Sequence, residues 1–149
     1  MTTKLKLLQI CNDLVDKRIN GYKEEISLIK DAIESNDKGN LEEDDIGNSN
    51  LLGDLEKNLG YLADAQKNKA QLQLIKPNIV NNEAVLGSIV KTNLIHFYIA
   101  VSLGKIDLGD EESYYAISFS SPIGQLLRNK KVNDQFEFNQ SKYIIKEIK

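Results

Sequence analysis

The spacing of apolar residues changes once along this chain, and that change limits the fold more than any single motif. Up to residue 75 they recur at steps of three and four: Leu8, Cys11, Val15 and Tyr22, with Arg18 at the intervening step, mark one face, continued by Ile26, Ile29 and Ile33. Leu52, Leu55, Leu59 and Leu62 mark a second, extended by Ala70, Leu72 and Ile75. These are heptad seams, the first with one stutter. Each stripe is too thin for a core helix of a large domain and suits two antiparallel helices zipped into a hairpin. Arms of about 30 residues at ~1.5 Å each predict a rod on the order of 45 Å. After residue 84 the pattern becomes short β-branched and aromatic runs, "VLGSIVKTN", "HFYIAVSLG", "SYYAISFSS" and "QFEFNQSKYIIKEIK", which predict strands.

Other features change at the same place. Of the ten Phe and Tyr residues, only Tyr22 and Tyr61 precede residue 84. Residues 1–77 hold 11 basic and 14 acidic side chains, whereas residues 78–149 hold 8 of each. "KPNIVNNEA" marks the boundary, with Pro77 closing a helix and Asn-rich sequence forming a linker. The expected organisation is therefore α+β: an antiparallel coiled-coil hairpin over 1–77, then a sheet domain over 78–149. Within the second part, Asn139 and Gln140 are placed for a tight hairpin turn, and "KIDLGDEE", which follows Gly104 and contains Gly109, reads as a connecting loop. One helix interrupts the strands: in "SSPIGQLLRNKK" Ser121 suits an N-cap and Pro122 the first helical position, with Arg128 to Lys131 at the end where the dipole favours cations.

Between the two helices lies "DKGNLEEDDIGNSN", with Gly39 and Gly47 bracketing the expected turn. Glu42, Glu43, Asp44 and Asp45 are consecutive carboxylates, and their repulsion costs stability unless water, a cation or a partner takes it up. Other chemistry is scarce. One Cys and one His exclude a Cys/His zinc site within the chain, and a lone Cys11 on the seam is expected to be a small buried apolar group. His96 has no triad spacing, and Ser120 and Ser121 lie outside any Gly-x-Ser-x-Gly elbow. A net charge of −3 argues against binding nucleic acid through phosphate neutralisation. The absence of a signal peptide or an apolar run of roughly 20 residues predicts a cytoplasmic protein.

The order of parts, together with Gly87, Ser88, Ser121, Pro122, Ile123, Gly124, Leu126, Leu127 and Lys131, resembles the Gre transcription elongation factors. The resemblance covers most of the chain and is most specific in its second half. It implies an FKBP-like antiparallel sheet domain docking at the rim of the bacterial RNA polymerase secondary channel, with the coiled coil passing down the channel. It further implies an accessory factor, not an enzyme, that stimulates the polymerase's own cleavage of backtracked transcripts near the RNA 3′ end. The family's tip carries an Asp and a Glu three positions apart that help hold the second Mg2+ of the polymerase. An ungapped match through "EKN" (56–58) and "LADA" (62–65) puts Glu42 and Asp45 at those positions, their identities exchanged, with Glu43 and Asp44 as substitutes. A match on "KGNL" instead puts Asn40 and Glu43 there and loses one ligand. Ser121, Pro122, Ile123, Gly124, Arg128 and Lys131 are the residues expected to meet the polymerase. A monomer is expected, with no membrane partner. Three rivals remain: a Gre-fold channel occupant that does not promote cleavage, a prolyl isomerase built on the FKBP-like domain, and a coiled-coil interaction protein outside transcription.

Overall fold

A computed structural model describes residues 2–39, 42–109 and 112–149, the side chains of 38–46 excepted. Helix α1 spans Thr3–Gly39 and α2 spans Glu42–Gln73. The sheet strands are β1 Ile89–Thr92, β2 His96–Ile99, β3 Gly104–Asp107, β4 Ser113–Ile117, β5 Gln135–Phe138 and β6 Ser141–Ile148, with a short helix α3 at Pro122–Leu127. The chain forms two compact units: residues 15–69, and residues 1–14 together with 70–149. The expected change of architecture is present, α2 ending at Gln73 ahead of Pro77. The first turns of α1 and the end of α2 group with the sheet.

Within residues 15–69 the two helices are antiparallel. Asp16 pairs with Lys69 at 2.9 Å, the Tyr22 and Tyr61 rings lie 5.6 Å apart, and Asn36 donates to Asn48 at 3.1 Å. The residue numbers of each pair add to nearly the same value, which only an antiparallel register gives. The seam differs from the one counted on leucines. On α1, Val15, Ile26 and Ile29 are buried with Ile19, Tyr22 and Ile33 half-buried, while Arg18 is exposed. The seam of α2 steps through Asn48, Leu51, Leu55, Asn58, Leu62 and Ala65, an unbroken three-four alternation. Leu52 and Leu59 face solvent, 50% and 45% exposed, and Ala70 is exposed as well. Choosing leucines over strict period misplaced that face by a residue, because two Asn residues hold seam positions. Gly47 sits inside α2, facing Asn36, and brackets no turn.

The sheet runs β3-β4-β2-β1-β6-β5. All neighbours are antiparallel except β2 and β4, which are parallel because the chain crosses over through β3. The segment read as a loop after Gly104 is therefore partly strand: Gly104–Asp107 pairs with Ser113–Ala116 as an edge. Its run is short and polar, and only Ile106 is buried, which suits an edge strand and gives a weak strand signal. Gly104 opens β3 at φ 80°, a conformation that favours glycine. The β5–β6 turn forms at Asn139 and Gln140, both at positive φ (50° and 68°), as a two-residue hairpin with right-handed strand twist requires.

Side chains alternate across the sheet, so one face collects the core. Val90, Phe97, Ile99, Phe136, Tyr143 and Ile145 meet Leu127 of α3 and Ala84 there. Phe136 and Tyr143 are directly paired across β5 and β6 and stack at 4.9 Å. Before β1, Gly87 and Ser88 form a tight turn in which the buried Ser88 hydroxyl donates to the Val85 carbonyl at 2.8 Å. Gly87 has φ 88°, and a Cβ there would lie 2.9 Å from Ile75. No helix among the described residues is long and apolar enough to cross a membrane.

Candidate functional site

Two places hold the sequence-predicted residues, one in each unit. In the helix pair, α1 ends at Gly39 and α2 begins at Glu42, so the four carboxylates form the first turn of α2 instead of lying in a loop. A helix start presents unpaired backbone N–H groups and a positive partial charge, which stabilises an anion by roughly 0.3–1 kcal/mol each. The spacing from Glu42 to Asp45 places these two residues on one helical face, while Glu43 and Asp44 fall on others. The side chains of Glu42, Glu43, Asp44 and Asp45, and Asn40 of the other register, lie outside the described residues.

Behind that turn the helices are tied by a short polar ladder. The Asn36 amide donates to Asn48 Oδ1 at 3.1 Å, and the Asn48 amide donates to Asp37 Oδ1 at 2.9 Å. Gly47 faces this ladder: a Cβ on it would stand 3.8 Å from Asn36 Nδ2, in ordinary contact, so the approach of the helices does not depend on glycine there. Counting apolar residues missed this ladder, because its signal is amide-rich sequence at seam spacing. Such a ladder fixes the register of the pair next to the acidic turn.

In the other unit, Ser121 caps α3. Its Oγ accepts from the Gly124 N–H at 3.1 Å and donates to the Ser118 carbonyl at 2.7 Å. Pro122 occupies the first turn, where a missing N–H costs nothing. Gly124 is buried, and a Cβ there would lie 1.9 Å from the Ser118 carbonyl oxygen. Ile123 packs against the sheet core. Ser121, Ile123 and Gly124 thus have structural work that accounts for their identities.

Pro122, Arg128 and Lys131 are exposed, as are Leu126 (37%) and Val132 (43%). No motif of the sequence points to Val132. The expected role of Arg128 to Lys131 as counter-charges in the last turn is not met, since α3 ends at Leu127 with no basic residue in that turn. The Arg128 guanidinium instead covers the Phe119 ring, 4.5 Å from its centroid, a cation–π contact worth about 0.5–1 kcal/mol when exposed. The backbone of Lys131 is held by a bridge to Glu83 and by donation to Asp134 Oδ2 at 2.8 Å.

His96 lies beside Tyr114, ring centroids 5.7 Å apart. The neighbouring Glu112 carboxyl is held below its usual range, first by the Tyr114 hydroxyl at 2.6 Å and then by Lys91. Together these groups form a surface network at the start of β4. Cys11 is fully buried, and burial pushes its thiol from the ordinary 9.0 to about 12, as a small apolar group should behave. Among the described residues no group of three or more His, Cys, Asp or Glu could hold a metal ion.

A scan against protein-family models found no match, and a search of curated proteins found none. Among solved structures the chain is similar to the transcription factor Gfh1, at 14% identity and TM-score 0.34, covering 95% of this chain and 92% of that one. It is similar to GreA factor homolog 1 (Gfh1) of Thermus thermophilus at 15% identity and TM-score 0.34, covering 93% and 94%. For Thermus aquaticus Gfh1 the identity is 16% and the TM-score 0.33, covering 91% and 92%.

Proposed function

We propose that this chain is a Gre-like transcription factor that binds core RNA polymerase through the secondary channel and assists cleavage of backtracked transcripts. The observation that carries the proposal is the antiparallel helix pair whose second helix opens on Glu42 and Asp45, on one face of its first turn. It is supported by the Ser-Pro-Ile-Gly segment, which forms a capped helix on the sheet of the other unit, as the sequence resemblance requires. In this proposal the factor is cytoplasmic and monomeric and brings no complete active site.

Two carboxylates are too few to hold a magnesium ion alone, but they are the hard oxygen donors that ion takes from proteins while keeping several waters. Glu42 and Asp45 would hold it jointly with the polymerase, where it supplies water activation and charge stabilisation for phosphoryl transfer. The task of this chain is delivery: the Asn36–Asn48–Asp37 ladder fixes the register of the helix pair behind the turn that carries the two residues. Glu43 and Asp44 add negative charge and can substitute as donors. Pro122, Arg128 and Lys131 would face the polymerase at the channel rim.

The exchanged order of the acids, Glu before Asp, favours a second outcome on the same partner: a channel occupant that regulates without promoting cleavage. One assay separates the two. A stalled, backtracked elongation complex of the cognate polymerase receives either the wild-type chain or Glu42→Ala/Asp45→Ala, and both cleavage and binding are followed. Cleavage that requires the pair while binding persists supports the first reading. Binding of the wild type without cleavage, or with slowed elongation, replaces it with the second. No binding to the polymerase refutes both.

A further inference from the structure

Beside the start of α1, within the unit that holds the sheet, lies a surface cleft of about 400 Å³. Pro77, Ile79, Val80 and Ile89 give it apolar walls, and Lys4 and Lys149 are its charged lining residues. The size falls within the roughly 300–1,000 Å³ range of small-molecule sites. Two of its apolar residues are unusually open, Ile79 at 50% and Val80 at 90% exposure.

Lys4 makes the cleft more than a dent. It is only 8% exposed, and its ammonium donates to the Ile79 carbonyl at 2.7 Å. Among the described residues that is its one hydrogen bond, and it has no ion pair. An ammonium carries three donors, and placing one out of water without a counter-charge is unfavourable. Burial accordingly lowers the Lys4 pKa. Among the described residues no Asp or Glu side chain lines the cleft to compensate. The Lys149 carbonyl is already occupied by the Ile89 N–H at 3.1 Å and the Asn81 amide at 3.4 Å. The Lys149 ammonium turns to Glu147 at 3.5 Å. A largely buried lysine whose ammonium has one carbonyl partner and no carboxylate partner among the described residues, beside open apolar walls, describes half of a recognition pair.

We propose that this cleft binds a small amphipathic anion, its single carboxylate on the Lys4 ammonium and its apolar body along Pro77, Ile79, Val80 and Ile89. The cleft shares no residue with the acidic turn or with α3, so the proposal stands whether or not the chain acts on a polymerase.

The test uses the full chain, labelled with 15N, titrated at neutral pH with octanoate, with octanol as the neutral isostere, and with inorganic phosphate. Octanoate is expected to shift the amides of Lys4, Ile79, Val80 and Ile89 saturably, and octanol to bind at least about tenfold more weakly, the equivalent of 1.4 kcal/mol. Phosphate alone should leave them unmoved. Lys4→Met should bring octanoate down to the level of octanol, and Val80→Ser, at a solvent-facing position, should weaken both. Equal binding of octanoate and octanol to the wild type overturns the proposal without relying on the folding of any variant. So does an octanoate titration that leaves these amides unshifted, or a phosphate response that matches it.

Discussion

Replacing Gly124 by alanine reverses the usual sign of that substitution. Inside a helix, Gly→Ala ordinarily stabilises by roughly 0.5–1 kcal/mol through lost backbone entropy. Here the new Cβ would stand 1.9 Å from the Ser118 carbonyl oxygen and 2.9 Å from Phe119 Cα, so a contact must open by more than an ångström. Both neighbours are backbone, and the Ser118 carbonyl also accepts from the Ser121 hydroxyl and the Ser121 N–H. Moving α3 away sacrifices the Ser121 cap, about 1 kcal/mol, and a part-buried hydrogen bond, about 1 kcal/mol. It also drags the fully buried Leu127 off the sheet, at a repacking cost of about 1–3 kcal/mol. After the entropic gain is subtracted, the net destabilisation is about 2–4 kcal/mol, some 4–16 °C in Tm at the sensitivity expected of a chain this size. Urea unfolding followed by near-ultraviolet circular dichroism reports on the sheet unit, where eight of the ten Phe and Tyr residues lie. A neutral or stabilised Gly124→Ala protein would refute the close packing of α3 against the Ser118 turn.

Gly53→Ala is the matched control: the position lies inside α2 with nothing within 4 Å of a new Cβ, and thermal unfolding should show stabilisation of about 0.5–1 kcal/mol. Tyr98→Phe should stabilise by about 1 kcal/mol, because the buried hydroxyl has no hydrogen-bond partner among the described residues; a loss of stability on urea titration would reveal a partner. Cys11 should resist Ellman's reagent at pH 8 in the native protein and react at once in urea. Its folded pKa of about 12 lies above the unfolded 9.0, so its contribution to stability is complete below pH 9 and is lost as pH rises from there towards 12. Urea midpoints should therefore fall above pH 9, and less steeply in Cys11→Ala.

Local chemistry was legible in the sequence where it alone decides the outcome. The Asn139–Gln140 turn, the Ser121 cap with Pro122 behind it and the change from helical to strand spacing all formed as expected. What the sequence hid depends on distant partners. The parallel pairing of β2 with β4 is not encoded in either strand, and β3 qualifies as a strand only because β4 lies beside it. Asn48 and Asn58 look like loop or surface residues until the opposite helix supplies the seam. At the acidic run the residue types and their spacing were legible, but glycines on either side suggested a loop where the backbone has already begun α2. The burial of Lys4 was beyond reach, since the carbonyl that holds it lies 75 residues away.

That last separation has a consequence for how the chain comes to be folded. The unit formed by residues 1–14 and 70–149 is discontinuous, with residues 15–69 inserted into it. During synthesis the inserted helix pair has all its partners once residue 69 is out, and its short-range contacts favour fast formation. Leu7 and Cys11, both fully buried in the finished unit, must wait for sequence after residue 70, and β1 stays an open edge until β6 arrives at Ser141–Ile148. Exposed apolar surface and an unpaired strand edge over that interval are the conditions under which nascent chains recruit chaperones or aggregate. For the same reason a fragment starting at residue 78 would leave behind Leu7, Cys11, Leu72 and Ile75, all buried residues of its unit. A dissection that respects the molecule would excise residues 15–69 and rejoin the chain across the gap.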